Sequence, residues 1–252
     1  MTTLKLSFPN EGIALVTLAH PPMNAMDAGL LEELSALFEG LAADPSVRAA
    51  VIAADGPAFS AGLNLKTVPS LDRLGQRRLV DALNKGFGTL YGWPKPLVAA
   101  VNGHAIAGGA ILAFACDHRL MSGGRIGVPE LLVGVPFPAM ALAIVQFAMP
   151  PQHLQPMIYF GRTIEAEAAK NIGIIDETPA AADLLERAHA IAQTLAAIPR
   201  DAFRLTKRQL REPYLRDAPH IAVASADEID EIWASPKTHE HIRAYLAKTL
   251  KK

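Results

Sequence analysis

Four short apolar runs constrain what this chain can fold into more than anything else in it: IALVTL (13–18), VRAAVIA (47–53), LVAAV (97–101) and HRLM (118–121). They are rich in Val, Ile and Leu, bounded by Gly, Pro or Asn, and near-continuous in hydrophobicity, as strands buried on both faces are. Between the first two, Asp27 is placed to cap a helix whose Leu30, Leu34, Leu37 and Leu41 recur at helical spacing before Pro45 closes it. A second helix is expected over 71–91. Strand, helix, strand, helix, strand implies an α/β fold with crossover connections, and 252 residues suffice for a sizeable core.

The character changes after about residue 139. Residues 139–149, 151–160, 163–172 and 180–197 read as helices, the third capped by Thr163 and stopped by Gly173. From Pro199 the chain is helical and more charged, punctuated by Pro213, Pro219 and Pro236. Two parts follow: a mixed core over 1–197 and a helical region over 198–252. The apolar positions of that tail (Ile221, Val223, Ile229, Ile232, Trp233, Tyr245, Leu246) need a surface, on this chain or on a neighbouring subunit.

Charge and composition exclude several classes. With 24 basic and 25 acidic residues and no Lys/Arg block, the chain is not built to grip nucleic acid. Its single cysteine, Cys116, cannot form an internal disulfide and fits a reducing compartment. No charged leader precedes a long apolar stretch, so a cytoplasmic location is expected. Two uncharged stretches, Pro96–Cys116 and Leu131–Gln152, are interrupted by Asn102-Gly103, Gly108-Gly109, Pro136 and Pro138, and no membrane span is expected of them.

Three segments could carry chemistry. GPAFSAGLNLK (56–66) follows a strand, where open α/β sheets place ligands; its plain alternative is a flexible connection. NGHAIAGGAILAFACD (102–117) also follows a strand and leads into a short apolar helix. That helix offers free N–H groups near Gly108, where the absence of a Cβ admits a ligand oxygen; small residues that let the helix pack tightly are the alternative. Two such loops can form an oxyanion hole, with backbone donors stabilising charge on a carbonyl oxygen. In RIGVPELLVG (125–134), Glu130 is an isolated acid in apolar sequence. Desolvation there would tune it as a base, unless it is salt-bridged, for example to Arg125.

Other motifs are lacking. Neither G-x-G-x-x-G nor G-x-x-x-x-G-K-[ST] occurs, and Ser60 is not in a G-x-S-x-G elbow. His239 and His241 fall on different faces of a helix, which disfavours shared metal ligation. His104, near the proposed hole, reads as packing or a hydrogen bond.

Together, PPMNAMD, FSAGLNLK, VNGHAIAGGAILAFACDHRL and GVPELLVGV, in order and at family spacing, resemble the enoyl-CoA hydratase/isomerase (crotonase) family over essentially the whole chain. The resemblance implies a spiral of ββα units with a C-terminal helical trimerisation region, and hence a homotrimer or dimer of trimers. It implies an acyl-CoA thioester as substrate, with coenzyme A as part of that substrate and no separate cofactor or metal. The oxyanion hole would be the N–H groups of Leu63 and Gly108; the carbonyls of Ala61 and Leu65 would meet adenine, and Lys66 the CoA phosphates. Asn64 stands where many members have Asp.

Hydratases of the family use two glutamates. One matches Glu130; the other falls on Ile111, which cannot transfer a proton and would instead wall the acyl pocket. One glutamate with an apolar partner position resembles the Δ3,Δ2-enoyl-CoA isomerases, with Glu130 as sole acid/base. A hydratase or other thioester enzyme with a replaced acid stays open, as does a non-catalytic acyl-CoA-binding protein.

Overall fold

The apolar runs are parallel strands, and what lies between them is more regular than their sequence suggests. A computed structural model describes residues 3–249. Four successive turns each add two strands and a helix: β1 (Leu4–Asn10), β2 (Ile13–Leu18) and α1 (Ala28–Ala43), then β3 (Ala49–Ala54), β4 (Ala58–Ser60) and α2 (Arg73–Tyr91). A 3-10 turn, Val68–Ser70, precedes α2. The third turn is β5 (Leu97–Val101), β6 (His104–Ile106) and α3 (Gly108–Phe114), and the fourth β7 (His118–Met121), β8 (Arg125–Gly127) and α4 (Glu130–Val133). The chain continues through α5 (Ala139–Ala148), α6 (Pro151–Tyr159), β9 (Thr163–Glu165), α7 (Ala166–Asn171) and α8 (Leu184–Ala196). The tail is α9 (Arg200–Ala224), α10 (Ala226–Ala234) and α11 (Pro236–Thr249).

Each turn after the first contributes one strand to each of two sheets, ordered β1-β2-β3-β5-β7 and β4-β6-β8-β9. Pairing is parallel from β2 to β7 and from β4 to β8, with antiparallel β1 and β9 at the edges. This is the α/β spiral with a helical C-terminal region that the resemblance implies. The central strands β3 and β5 of the first sheet are buried on both faces. Ala50, Ile52 and Ala99 face the main core, while Ala49, Val51, Val98 and Ala100 face Leu184, Ala188 and Ala192 of α8. That two-sided burial is why these strands do not alternate with polar residues. The Asp27 side chain caps α1 by accepting from Leu30 N–H at 2.8 Å.

The tail returns to its own chain. Ala218, Ile229, Trp233 and Ile242 are buried in the main core and Tyr245 and Leu246 pack against it, whereas Ile221 and Val223 stay exposed. Asp117 anchors α9 by accepting from Lys207 Nζ (2.7 Å) and Arg211 Nη2 (2.8 Å). Among the described residues no helix is long and apolar enough to cross a membrane.

Three expectations are corrected. Residues 163–172 are not one helix: Thr163 pairs with Gly127 in β9, and the helix begins only at Ala166. Pro213 and Pro219 do not punctuate the tail but lie inside α9. Both are exposed, off the buried stripe of Lys207, Arg211 and Ala218, so water can satisfy the carbonyls they leave unpaired. Finally, the loops after 47–53 and 97–101 each contain a further three-residue strand, β4 and β6.

Candidate active site

The second sheet is what gathers the candidate residues. β4, β6 and β8 are adjacent and parallel, so their C-terminal ends lie side by side. Leu63 follows β4, Gly108 follows β6 and Glu130 follows β8, each within three residues of its strand. This is the edge of a parallel sheet where ligands are expected.

The first loop is pinned by the N-terminal segment. Asn24 is buried and donates from Nδ2 to the carbonyls of Asp55 (2.9 Å) and Ala58 (3.0 Å). Ser60 Oγ donates to Asn24 O (2.7 Å) and accepts from Gly62 N–H (3.2 Å), so this hydroxyl shapes the loop. Met26 N–H donates to Gly62 O (2.7 Å) and Asn64 N–H donates to Met26 O (2.9 Å). In such a parallel bridge the residue between, Leu63, turns its own N–H away from Met26. Asn24 and Met26 lie in PPMNAMD; sequence reasoning gave them no role, because a buried loop staple has no periodic signature.

The second loop lies directly against the first. Gly62 has φ +79°, and a Cβ there would stand 2.8 Å from Ile106 O and from Ala107 Cβ, and 3.2 Å from Gly108 N. Only glycine fits this position. Ala107, at φ 53° and ψ −124°, is strained by about 1–3 kcal/mol. It is held by its N–H donating to Gly127 O at 2.8 Å, and it turns the chain so that α3 starts at Gly108. The N–H groups of Leu63 and Gly108 have no acceptor among the hydrogen bonds of the described residues. Ile111 lies one helical turn beyond Gly108, on the same face, and is buried in the core.

Ala61 and Leu65 likewise have carbonyls that accept no backbone hydrogen bond among the described residues. Ala61 and Lys66 are exposed and Leu65 is half-buried. Lys66 forms no ion pair among the described residues. The side chain of Asn64 is half-buried, while its carbonyl accepts from Thr67 N–H and Oγ1.

Glu130 opens α4 and is 7% exposed. Its Oε2 is buried without a hydrogen-bond partner among the described residues. Burial pushes its carboxyl up to about 8, opposed only by its own backbone N–H. Arg125 does not pair with it: its side chain reaches Thr163 and Glu165 on β9. Nor is His104 beside the glycines. It begins β6, at the opposite end from Gly108, where its Nδ1 accepts from Arg125 N–H (3.2 Å). A cleft of about 480 Å³ lies at that end, lined by His104, Ser122, Arg125, Glu165 and Thr178 among others.

Cys116 is buried, and desolvation pushes its thiol up to about 12. His239 and His241 point to different partners, Trp233 O and Leu132 O respectively, each at 2.9 Å. Among the described residues no group of three or more His, Cys, Asp or Glu is arranged to hold a metal ion.

Comparison with known proteins agrees with this architecture. The sequence pattern of the enoyl-CoA hydratase/isomerase family matches residues 9–251. A putative enoyl-CoA hydratase of Thermus thermophilus is 35% identical over 203 residues, covering 79% of this chain and 80% of that one. A mevalonyl-coenzyme A hydratase of Beauveria bassiana is 32% identical over 237 residues, covering 90% and 84%. Among solved structures, human mitochondrial Δ3-Δ2-enoyl-CoA isomerase superimposes with a TM-score of 0.92 over 99% of both chains; at 24% identity this speaks for the fold alone. An Mtb enoyl-CoA isomerase has a TM-score of 0.77 at 28% identity, covering 92% of this chain and 98% of that one. The chain belongs to the enoyl-CoA hydratase/isomerase family.

Proposed function

We propose that this protein is a Δ3,Δ2-enoyl-CoA isomerase. The observation that carries the reading is one buried carboxyl, Glu130, with no side-chain partner among the described residues, at the same sheet edge as two backbone N–H groups that have no acceptor among them, with Ile111 where a second acid would be needed to add water. The acyl-CoA thioester oxygen sits between the N–H groups of Leu63 and Gly108. Ala61 and Leu65 offer carbonyls to adenine, and Lys66 an ammonium to the CoA phosphates. Coenzyme A enters as part of the substrate, and no further cofactor is required.

Glu130, as carboxylate, takes the proton from C2 of the 3-enoyl thioester. The C2–H electron pair becomes the C1–C2 π bond of a dienolate whose negative charge rests on the thioester oxygen. Each backbone donor there contributes about 3–4 kcal/mol to the barrier lowering. The protonated Glu130 then delivers the same proton to C4; electrons of the C3–C4 π bond form C4–H, and the double bond moves to C2–C3. Burial makes Glu130 a stronger base than a solvated carboxylate, at the expense of a smaller ionised fraction at neutral pH. The apolar Ile111 leaves no group to activate water. We further propose that the protein works in the cytoplasm as a homotrimer or dimer of trimers.

Hydration is the second reading, favoured by the names of the T. thermophilus and B. bassiana relatives. Incubation with 3-enoyl- and 2-enoyl-CoA esters, with product masses determined, separates the two. Isomerisation leaves the 3-enoyl mass unchanged while forming the conjugated thioester. Rapid gain of one water by the 2-enoyl ester would overturn it.

A further inference from the structure

The helix that carries Glu130 is a single turn, and a residue from the far end of the chain completes it. In α4, Glu130 O accepts from the N–H groups of Gly134 and Val135, and Leu131 O from Gly134. Leu132 O receives no backbone donor among the described residues; it accepts from His241 Nε2 of α11 at 2.9 Å. The His241 ring also lies on Gly134, the left-handed residue (φ +88°) that ends α4, where a Cβ would stand 2.8 Å from His241 Cδ2. α11 at the same time touches the 3-10 turn Val68–Ser70, which follows the loop of Leu63 and Lys66. It therefore bridges the two segments that frame the site.

Among the described residues Glu130 Oε2 has no hydrogen-bond partner and no other side chain bonds to the carboxyl, so its placement rests on the backbone of α4. We propose that His241 is a positioning residue for Glu130, fixing α4 through Leu132 O and covering the Gly134 turn. This rests on the reading of Glu130 as the acid/base. His241 donates through Nε2 in both its neutral and protonated forms, so the clamp does not depend on its charge. Besides His241, α11 carries Lys237, Glu240 and Arg243, α6 carries His153, and the turn after α6 carries Arg162, which stacks on Phe160 at 5.3 Å. No side chain among the described residues pairs with Glu130.

The test compares His241→Ala and His241→Gln with the unaltered protein; a Gln amide can still donate to Leu132 O. Two readouts are taken, the titration of the Glu130 carboxyl by 13C NMR and the kcat and KM for a 3-enoyl-CoA. Thermal melting of each variant serves as a stability control. In His241→Ala, loosening of α4 admits water, and the carboxyl midpoint falls from about 8 toward the ordinary 4.5. kcat drops about tenfold or more with little change in KM, and His241→Gln restores both readouts in large part. An unmoved Glu130 midpoint would overturn the proposal. So would a raised one, since removing a nearby positive charge, rather than a clamp, has that effect. Equal impairment of both variants would mean general destabilisation and would overturn it as well. Because the titration needs no turnover, an inactive wild-type protein would defeat the isomerase reading while still leaving the clamp decided.

Discussion

Two carboxyl groups, the part-buried Asp117 at the entry to the fourth turn of the spiral and the buried Glu130 within it, are treated by the fold in opposite ways. Asp117, just before β7, is fully engaged: Oδ2 accepts from Leu97 N–H (2.8 Å) and Lys207 (2.7 Å), and Oδ1 from Arg211 (2.8 Å). Glu130, just after β8, keeps an oxygen with no partner among the described residues. The partners of Asp117 are themselves committed. Arg211 also donates to the carbonyls of Tyr91 and Ala115 and lies 4.4 Å from the Tyr91 ring, and Lys207 donates to Lys95 O (3.0 Å). Burial lowers Lys207 to about 8, with the Asp117 carboxylate opposing. The first carboxylate locks the tail onto the core; the second is left costly. A stable fold would pair both, and on the proposed reading the unpaired one marks where stability is given up for chemistry.

The contrast can be broken from either side. Arg211→Ala should destabilise the protein by about 3–5 kcal/mol, because it strands buried carbonyls and half the charge that balances Asp117. Urea unfolding measures this, and a loss below 1 kcal/mol would show that the Asp117 cluster is not the lock described.

Glu130 should behave oppositely. Its carboxyl is raised from 4.5 to about 8 on folding, so between those values the folded chain holds a proton that the unfolded chain has released. Its favourable contribution is full below pH 4.5 and is lost as pH rises through about 8. Glu130→Gln should therefore lie within about 1 kcal/mol of the unaltered protein near pH 5 and exceed it by on the order of 4 kcal/mol at alkaline pH. Parallel denaturation curves at pH 5 and pH 9 check this; equal stability at both would mean that Glu130 is solvated.

A smaller effect is expected where the two loops meet. Gly62→Ala imposes a side chain at positive φ against Ile106 O and Ala107 Cβ, which should cost roughly 2 kcal/mol. Turnover should fall further than stability alone explains, as the Leu63 and Gly108 N–H groups are pushed apart. Retained turnover would argue against a shared oxyanion hole.

Four of the five strands of the first sheet were legible in the sequence, β1 escaping because most of its residues are exposed and carry no apolar run, and the second sheet was almost invisible. Runs such as LVAAV announce themselves because both faces are buried, and Asp27 with its leucine stripe marks α1 from cap to end. β4, β6, β8 and β9 have three residues each, too few for any periodicity, and they exist only because they pair with one another. Yet these strands align Leu63, Gly108 and Glu130. The candidate site was therefore readable through motif resemblance and through the apolar setting of Glu130, but not through secondary structure. His104 was misplaced for the same reason: without β6 there was no way to see that it and Gly108 occupy opposite strand ends. Thr163 carried a helix-cap residue type but is taken by β9, and Pro213 and Pro219 are tolerated because they face solvent. The clamp from His241 spans more than a hundred residues of sequence, a pairing no local pattern encodes.

The central claim is that one buried carboxyl performs both proton transfers. It is tested most directly by the turnover of a 3-enoyl-CoA ester by Glu130→Gln, measured beside the ester's dissociation constant. The account predicts that turnover falls about a thousandfold or more while binding changes little, since the oxyanion donors and the CoA contacts are backbone groups and Lys66. Turnover near that of the unaltered protein would contradict it.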